Sequence, residues 1–433
     1  MQLRCSKRLL RRSEKRSTTT LCCCQVVTAL ARDPGEQYAV SRCGVGSGTF
    51  KVRAGRVPVQ PKLDGPKSGM AKTRVCVVGL RGIPGVMGGI ESHCEQIFPR
   101  LTALSQQYDI TIIGRKPYIP GGAYEYQGVR VVPLAAVKNK YLEAISNTAL
   151  AVLYARFALK AEILHIHGIG PALLGPLARA LGMKVVVTHH GRDFERQKWN
   201  AVAKAALRLG ERCATAAANR IIVVSKSVTE ELRRRHPRLR SRIDYIPNGA
   251  TEFPEGDALE DAPAVLDRFG LQPGRYVLAV GRLVPEKAFH VLIEAFKAAN
   301  PDCKLAIAGA ADHADEYSRS LLRHESDDIR FCGFQSHAVL RVLYRNAALF
   351  VLPSTHEGLP IAALEAANLG VPVLLSDIQP NLDIELAAAN YFPVGDVEAL
   401  GRKLLVYYET FRVDRDAIAR RVDWRNVSET RGQ

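Results

Sequence analysis

Two carboxylates and a turn stand at the end of an apolar run in "PSTHEGLPIAALEAANLGVPV", residues 353–373. The preceding "LFVLPS" reads as a buried strand that delivers the chain to His356 and Glu357, and Gly358-Leu359-Pro360 turn it into a helix. Proline suits a first helical turn because its missing N–H is not needed there. The free amides of that turn can receive a phosphate oxygen. Glu365 follows inside the helix, among the small and apolar neighbours of "IAALEAANLG". An unpaired carboxylate in such surroundings is costly, so a partner rich in hydroxyls, such as a sugar, would suit it. Taken alone, the stretch is equally compatible with a salt-bridged helix start.

A second constellation lies upstream in "VGRLVPEKAFHVLIEAF", residues 280–296, where Arg282 follows a strand and Lys287 precedes a helix. Two cations at a helix start oppose the helix dipole. A bound phosphate reverses that penalty, because arginine can grip it bidentately while lysine supplies a point charge. An ordinary solvated pair between Lys287 and Glu286 is the alternative.

The third is "GLRGIPGVMGGIESH", residues 79–93, a glycine-rich connection from strand to helix. Gly88 and Gly89 let the backbone approach a ligand closely at a helix start that favours an anion. The spacing is not the G-x-G-x-x-G of dinucleotide binders, and a tight connection without a ligand would look the same. The fourth is a set of histidines, His165, His167, His189 and His190, at two strand ends in "ILHIHGIG" and "VVVTHHGRDF". Without an acid cluster beside them they do not make a good metal site. They read as a hydrogen-bonding wall, with at least one of each pair a satisfied structural histidine.

The elements that must position these groups alternate short Val/Ile/Leu runs with longer helical patterns from Arg74 onward, the signature of parallel α/β units. Strands are expected at "VCVVGL", "YDITII", "VRVVPL", "AEILHIH", "KVVVTHH", "RIIVVS" and "RIDYIP" in the first half. In the second they are expected at "YVLAVG", "KLAIAG", "DIRFCGF", "LFVLPS" and "VPVLLS". Near-continuous apolar strands are buried on both faces, so each half is expected to be a doubly wound, Rossmann-like parallel sheet, the two facing across a cleft. The expected organisation is an extension over 1–69, a first domain over 70–247, a linker over 248–275, a second domain over 276–411 and a tail over 412–433.

The net charge of +17 over 433 residues would suggest nucleic acid or an anionic membrane, but residues 1–69 alone hold 14 Lys and Arg against 4 Asp and Glu. Five of the ten cysteines also fall there, and the other five are isolated, so neither disulfides nor zinc are expected. The extension reads as a mis-assigned start or dispensable tail, since Met70 opens "MAKTRVCVVGL" as a native start would. A targeting or nucleic-acid arm is the alternative. No run of about 18 uncharged apolar residues occurs.

Together these motifs resemble the retaining GT-B glycosyltransferases of family 4, over nearly all of residues 74–425. "EGLPIAALEAANLGVPVL" is similar to that family's E-x7-E motif and "VGRLVPEK" to its diphosphate clamp. "VVGLRGIPGVMGGIES" and "VTHHGRDFERQKW" resemble its rhamnosyltransferase-like bacterial branch, which builds surface polysaccharides. The resemblance implies that Arg282 and Lys287 hold the donor diphosphate, that Glu365 binds the ribose, and that Glu357 lies against the transferred sugar beside the Gly358-Leu359 backbone. Gly88 and Gly89 would approach donor phosphate or acceptor, and His190 would face the reacting centre, with His189 its close rival.

It further implies a metal-independent enzyme without cofactor. Such an enzyme moves a hexosyl or deoxyhexosyl unit, with retention, from a nucleotide diphosphate sugar to a glycan or lipid-linked glycan. A cytoplasmic protein is expected, with no nucleic-acid partner and with peripheral contact to the anionic inner membrane face through "RRRHPRLRSR", residues 233–242. A non-enzymatic nucleotide-sugar-binding protein and a GT-B-like sugar-nucleotide epimerase are the competing readings. Two features depart from the family: the alanine-rich helix after Glu365, and the end of the chain at "VDWRNVSETRGQ", early in a helix that commonly crosses back to the first domain.

Overall fold

The computed structural model describes residues 72–119, 121–137, 139, 142–196, 199–250, 261–311, 315–406 and 411–422. The expectations for residues 1–69 lie outside them. The first sheet comprises β1 (Thr73–Val78), β2 (Tyr108–Arg115), β3 (Tyr124–Tyr126), β4 (Val129–Leu134), β5 (Ile163–His167), β6 (Lys184–His189), β7 (Arg220–Val223) and β8 (Ile243–Tyr245). Their order is β3-β4-β2-β1-β5-β6-β7-β8. All pairs are parallel except β3 with β4, a hairpin in which Gln127 and Gly128 both take positive φ, 48° and 79°. Sequence patterning missed β3, because a three-residue edge strand has no periodicity to detect; the two-residue turn was its only signal.

The second sheet comprises β9 (Tyr276–Val280), β10 (Lys304–Ala308), β11 (Ile329–Gly333), β12 (Leu349–Leu352), β13 (Val373–Ser376) and β14 (Tyr391–Phe392), all parallel, in the order β11-β10-β9-β12-β13-β14. In each sheet the order reverses beside the first strand, at β1/β5 and at β9/β12. These are the switch points where a doubly wound sheet opens a crevice at its carboxyl edge.

In chain order the helices are α1 (Gly89–Leu104), α2 (Glu143–Phe157), α3 (Gly175–Ala180), α4 (Ala201–Ala217), α5 (Lys226–Arg235), α6 (Ala262–Arg268) and α7 (Phe289–Ala299). They continue with α8 (Glu316–Leu322), α9 (His337–Asn346), α10 (Ile361–Asn368), α11 (Gln379–Leu382), α12 (Val397–Leu404) and α13 (Arg415–Val422). Alternate strand residues serve opposite faces. Val75 and Val77 of β1 therefore pack with Cys94, Phe98 and Leu101 of α1. Cys76 and Val78 pack on the other face with Val152 and Ala155 of α2. The second sheet is likewise filled on both faces.

Two boundaries differ from the expected ones. Val265, Leu266 and Leu271 are buried in the second core, so α6 belongs to the second half and not to a connecting stretch. Acidic and Pro/Gly-rich composition suggested a linker, but two apolar side chains on one helical turn suffice to anchor it. At the other end, Ile418 of α13 joins the same core beside α10, so this helix packs on the second half.

The halves are stitched behind the cleft. The hydroxyls of Ser225 and Ser227 and the Ser227 N–H all donate to Asp383, at 2.7, 2.8 and 3.1 Å. This sets a carboxylate of the second half at the N-terminus of α5, where the dipole favours it. Lys226 pairs with Glu385 at 3.0 Å beside it.

Candidate active site

The carboxyl edges of the two sheets enclose a cavity of about 1220 Å³. Gly88, Gly89, His190, Arg282, Lys287, Glu357, Gly358, Leu359 and Glu365 all line it, residues up to 277 positions apart in sequence. Burial of their supporting strands brings them together; no local rule does.

On the second side, Lys287 ends a short 3-10 turn, Pro285–Lys287, and Ala288, in the left-handed conformation at φ 50°, redirects the chain into α7. The Lys287 stem lies over Gly281, where an added Cβ would come within 3.1 Å of its Cε. Its Nζ pairs with Glu357 Oε1 at 2.7 Å, both side chains largely buried. The Thr355 N–H donates to the Glu286 carbonyl at 2.9 Å, tying the loop after β12 to the loop after β9. The alternative of a solvated Lys287–Glu286 pair is thus set aside: Glu286 is buried, and the partner of Lys287 is Glu357. Pro360 caps α10 one position earlier than its first turn.

Glu365 is buried in α10, where its Oε2 accepts from the Tyr344 hydroxyl at 3.2 Å. Burial, and then the adjacent carboxylate, pushes that phenol well above its ordinary range, so it remains a donor at any ordinary pH. A Glu in an alanine-rich helix is therefore held in place, with the cavity on its other side.

On the first side, His190 decides itself against His189. His189 is fully buried and turned inward, its Nε2 3.2 Å from Glu211, while His190 lies on the cavity wall. His165 is spent on Thr188 at 2.7 Å, and His167 meets His190 at 3.0 Å. Burial, reinforced by neighbouring imidazoles, holds His167 and His190 well below the usual histidine range, and burial brings His93 down to about 4. The wall is therefore built of neutral rings.

Gly358 is where the two sides touch. A Cβ there would lie 1.7 Å from the His190 carbonyl oxygen, and one on Gly191, at φ 136°, 3.1 Å from Gly358 Cα. Only glycine allows this approach.

The glycine loop ahead of Gly88 and Gly89 is braced from within. Its Arg81 and Gly85 amides donate to Glu91 and Glu95 at 3.0 Å each, carboxylates of the following helix. A Cβ on Gly88 would strike Glu91 Oε2. Part of the anion-binding capacity of this turn is thus met internally, which fixes the loop's shape. The spacing of Glu91 and Glu95, one turn apart at a helix start, was a signal that could have been read.

Three comparisons bear on this geometry. The model of the glycosyl transferases group 1 matches residues 269–410, and that of glycosyltransferase family 4 matches residues 87–251. The chain is a GT4-like glycosyltransferase of the GT-B fold. An uncharacterised glycosyltransferase of Methanocaldococcus jannaschii is 26% identical over 72% of this chain and 82% of its own length. GDP-mannose:cellobiosyl-diphosphopolyprenol alpha-mannosyltransferase of Xanthomonas campestris is 28% identical over 62% of this chain and 72% of its own. Among solved structures, sucrose-phosphate synthase of Thermosynechococcus elongatus superposes with a TM-score of 0.67 at 20% identity, covering 84% of this chain and 98% of that one. An Anabaena protein, HepE, in complex with UDP and glucose superposes with 0.64 at 15%, covering 83% and 98%. At such identities the superpositions establish the fold.

Two residues escaped sequence reading, one lining this glycosyltransferase's cleft and one buried behind His190. Asn248, expected in the linker, is buried: its Nδ2 donates to the Leu359 carbonyl at 2.8 Å and its Oδ1 accepts from His93 Nδ1 at 2.9 Å. It joins α1 of the first half to the loop that follows β12 in the second. His93 also completes, with His167 and His190, the one group of described residues that has the makings of a metal site, with ring nitrogens within 4.8 Å of one another. His93 sits mid-helix, and nothing in its local pattern sets it beside two strand ends. Two of these nitrogens already face each other at hydrogen-bonding distance and the Nδ1 of His93 is committed to Asn248.

Proposed function

We propose that this glycosyltransferase moves a hexosyl or deoxyhexosyl unit, with retention and without a metal, from a nucleotide diphosphate sugar to a glycan or lipid-linked glycan in surface-polysaccharide assembly. The observation that carries the reading is the Lys287–Glu357 pair at 2.7 Å, set beside Gly358 where the second half meets His190. Lys287 and Arg282 would neutralise the departing diphosphate as the glycosidic bond lengthens, which is the task of a divalent ion in other transferases. Glu357 would orient both Lys287 and the sugar, and Glu365, steadied by Tyr344, would take the ribose hydroxyls. His190 would meet the reacting centre as a neutral ring, exchanging hydrogen bonds rather than charge. Gly88 and Gly89 would approach the donor phosphate or the acceptor.

The similar proteins support the class of partner. HepE was solved with UDP and glucose, and the Xanthomonas relative is by name a mannosyltransferase acting on a diphosphopolyprenol. No helix among the described residues is long and apolar enough to cross a membrane. A cytoplasmic enzyme working from the inner membrane face, with no nucleic-acid partner, fits this reading.

The test is a thermal-shift screen over nucleoside diphosphates and their sugars, since a ligand at a hundred times its Kd adds about 2.7 kcal/mol to stability. One nucleoside diphosphate series should stabilise the fold, and NMR of the product should show the donor's anomeric configuration preserved. Absence of any stabilising nucleotide would defeat the donor site. Turnover of the donor with no acceptor and no net hydrolysis would favour the epimerase.

A further inference from the structure

We propose that His189 is a positioning residue of the transferase: it holds the N–H of the His190–Gly191 peptide and thereby aims the carbonyl of that peptide at Gly358, where the two halves meet. His189 is buried at the end of β6, behind the cavity wall on which its neighbour His190 stands. Its effect on turnover rests on the transferase reading above, while the bonds that make the device do not.

Two partners place the proton of the His189 ring. The Gly191 N–H donates to Nδ1 at 3.3 Å. An amide N–H can only donate, so Nδ1 keeps its lone pair and the ring proton lies on Nε2, which donates to Glu211 Oε2 at 3.2 Å. Burial works to raise the Glu211 carboxyl, but its bonds to His189 and Arg235 hold it below the ordinary range, so it stays an acceptor. Gly191 is buried, and a buried amide without an acceptor is costly, so the Nδ1 lone pair is what makes this turn tenable.

The peptide between His190 and Gly191 is trans, so its C=O and N–H point in opposite directions. Tying the N–H back to His189 sends the carbonyl oxygen forward to Gly358, where an added Cβ would lie 1.7 Å from it. Gly191 itself, at φ 136°, takes a backbone conformation that side chains rarely adopt. The turn is therefore one that the local chain does not enforce, and His189 supplies the hold.

The hold extends into two helices. Gly210 lets α4 come close, since a Cβ there would fall 2.0 Å from the Ile169 carbonyl oxygen, and this delivers Glu211, the next residue, to His189. Glu211 Oε1 accepts from Arg235 of α5 at 3.1 Å, Arg235 pairs with Glu231 at 2.9 Å, and Glu231 pairs with Arg192, the residue after Gly191. The circuit closes on the loop it started from and anchors the chain on both sides of His190, at His189 and at Arg192. Such a network is weak support for stability, because apolar side chains of like volume often serve as well. Its closure around this one peptide is what assigns it a positioning role.

Correlation NMR of the histidine ring nitrogens in the full chain, with His189 assigned by its absence from His189→Asn, should show a neutral ring protonated on Nε2. A ring protonated on Nδ1, or on both nitrogens at pH 7.5, would overturn the proposal. Turnover is then measured with the donor that the thermal-shift screen selects. His189→Asn sets an amide oxygen near the place of Nδ1 and keeps the bond to Gly191, whereas His189→Gln reaches Glu211 but offers Gly191 no acceptor. The kcat should fall by about ten-fold or more in His189→Gln and by no more than about three-fold in His189→Asn. Nucleoside diphosphate affinity by calorimetry should be unchanged in both. A merely structural residue would lower the melting temperature in both variants and the kcat of the folded enzyme in neither. That pattern, an equal loss of kcat in the two, or a loss of nucleotide affinity in step with kcat would overturn the proposal. If no donor stabilises the chain, the transferase reading fails, and the ring proton still decides the hold on Gly191.

Discussion

The two walls of the cleft are built from opposite chemistry. The second half contributes formal charge, Arg282, Lys287, Glu357 and Glu365, on short loops after β9 and β12 and on α10. The first half contributes imidazoles and glycine backbone where the halves touch, and the charges it brings to the cavity are largely paired among themselves, Arg115 with Glu143 at 3.0 Å and Arg196 with Asp193 at 2.7 Å. Its acids Glu91 and Glu95 are occupied with their own loop, and burial keeps His93, His167 and His190 uncharged. The difference teaches how work is divided in a two-domain transferase. In the donor-site reading proposed above, a diphosphate is held by charge, so its wall can be read from residue type, whereas the other wall works through close contacts and single hydrogen bonds.

The largest expected effect comes from the place where the walls touch. Gly358→Ala would drive a methyl group into the His190 carbonyl, so transfer should fall by about 100-fold, as for a displacement of an ångström at a reacting centre. Nucleotide affinity measured by calorimetry should change little. Equal loss of both would mean that Gly358 serves the charged wall rather than closure.

Next comes the charged wall itself. Arg282→Ala or Lys287→Ala should each weaken binding of the nucleoside diphosphate by roughly 1.5 to 3 kcal/mol, the range for hydrogen bonds to charged groups. Calorimetry on the nucleoside diphosphate without sugar isolates this effect, and an unchanged affinity would remove these residues from the site.

The neutral wall predicts a pH signature. His93 titrates near 4 in the fold against an ordinary 6.5, so between these values the unfolded chain binds more protons. Stability is fully present above about pH 6.5 and declines as pH falls toward 4, by about 1.4 kcal/mol per pH unit for one such group. Thermal unfolding at pH 7.5, 6 and 5 should show at least this slope, since His167 and His190 add to it in the same direction, and His93→Gln should lower it by about one such group's share. A stability independent of pH over that range would mean that the imidazoles are not held neutral.

The smallest effect separates hydrogen-bonded imidazoles from metal ligands. Chelation by EDTA should leave donor binding and transfer unchanged. A loss restored by a divalent ion would reassign His93, His167 and His190 as ligands.

The charged wall was legible because each residue carries its own signature. A Glu among alanines, and an Arg and a Lys at a helix start, violate local preference, and such violations point to a ligand. The neutral wall was half legible. His167 and His190 could be placed at strand ends, but the choice of His190 over His189 needed the inward pairing of His189 with Glu211. His93 and Asn248 carried no signal, because a histidine in mid-helix and an asparagine after β8 obey every local rule. Their meaning comes from the 2.9 and 2.8 Å bonds that link them across the halves to Leu359.

Alternation of apolar runs and helical periods, set by burial of strands on both faces, was sufficient for the sequence alone to determine two parallel sheets and their principal strands, and residue type marked Arg282, Lys287, Glu357 and Glu365, which line one cavity. Only the tertiary structure decided which surfaces meet. The membership of α6 and α13 in the second half, the contact of Gly358 with His190, and the bonding of His189 to Glu211 each depend on residues distant in the chain. Side-chain pattern records what a segment buries; it does not record against which other segment, because that choice is made by the packing of the whole chain.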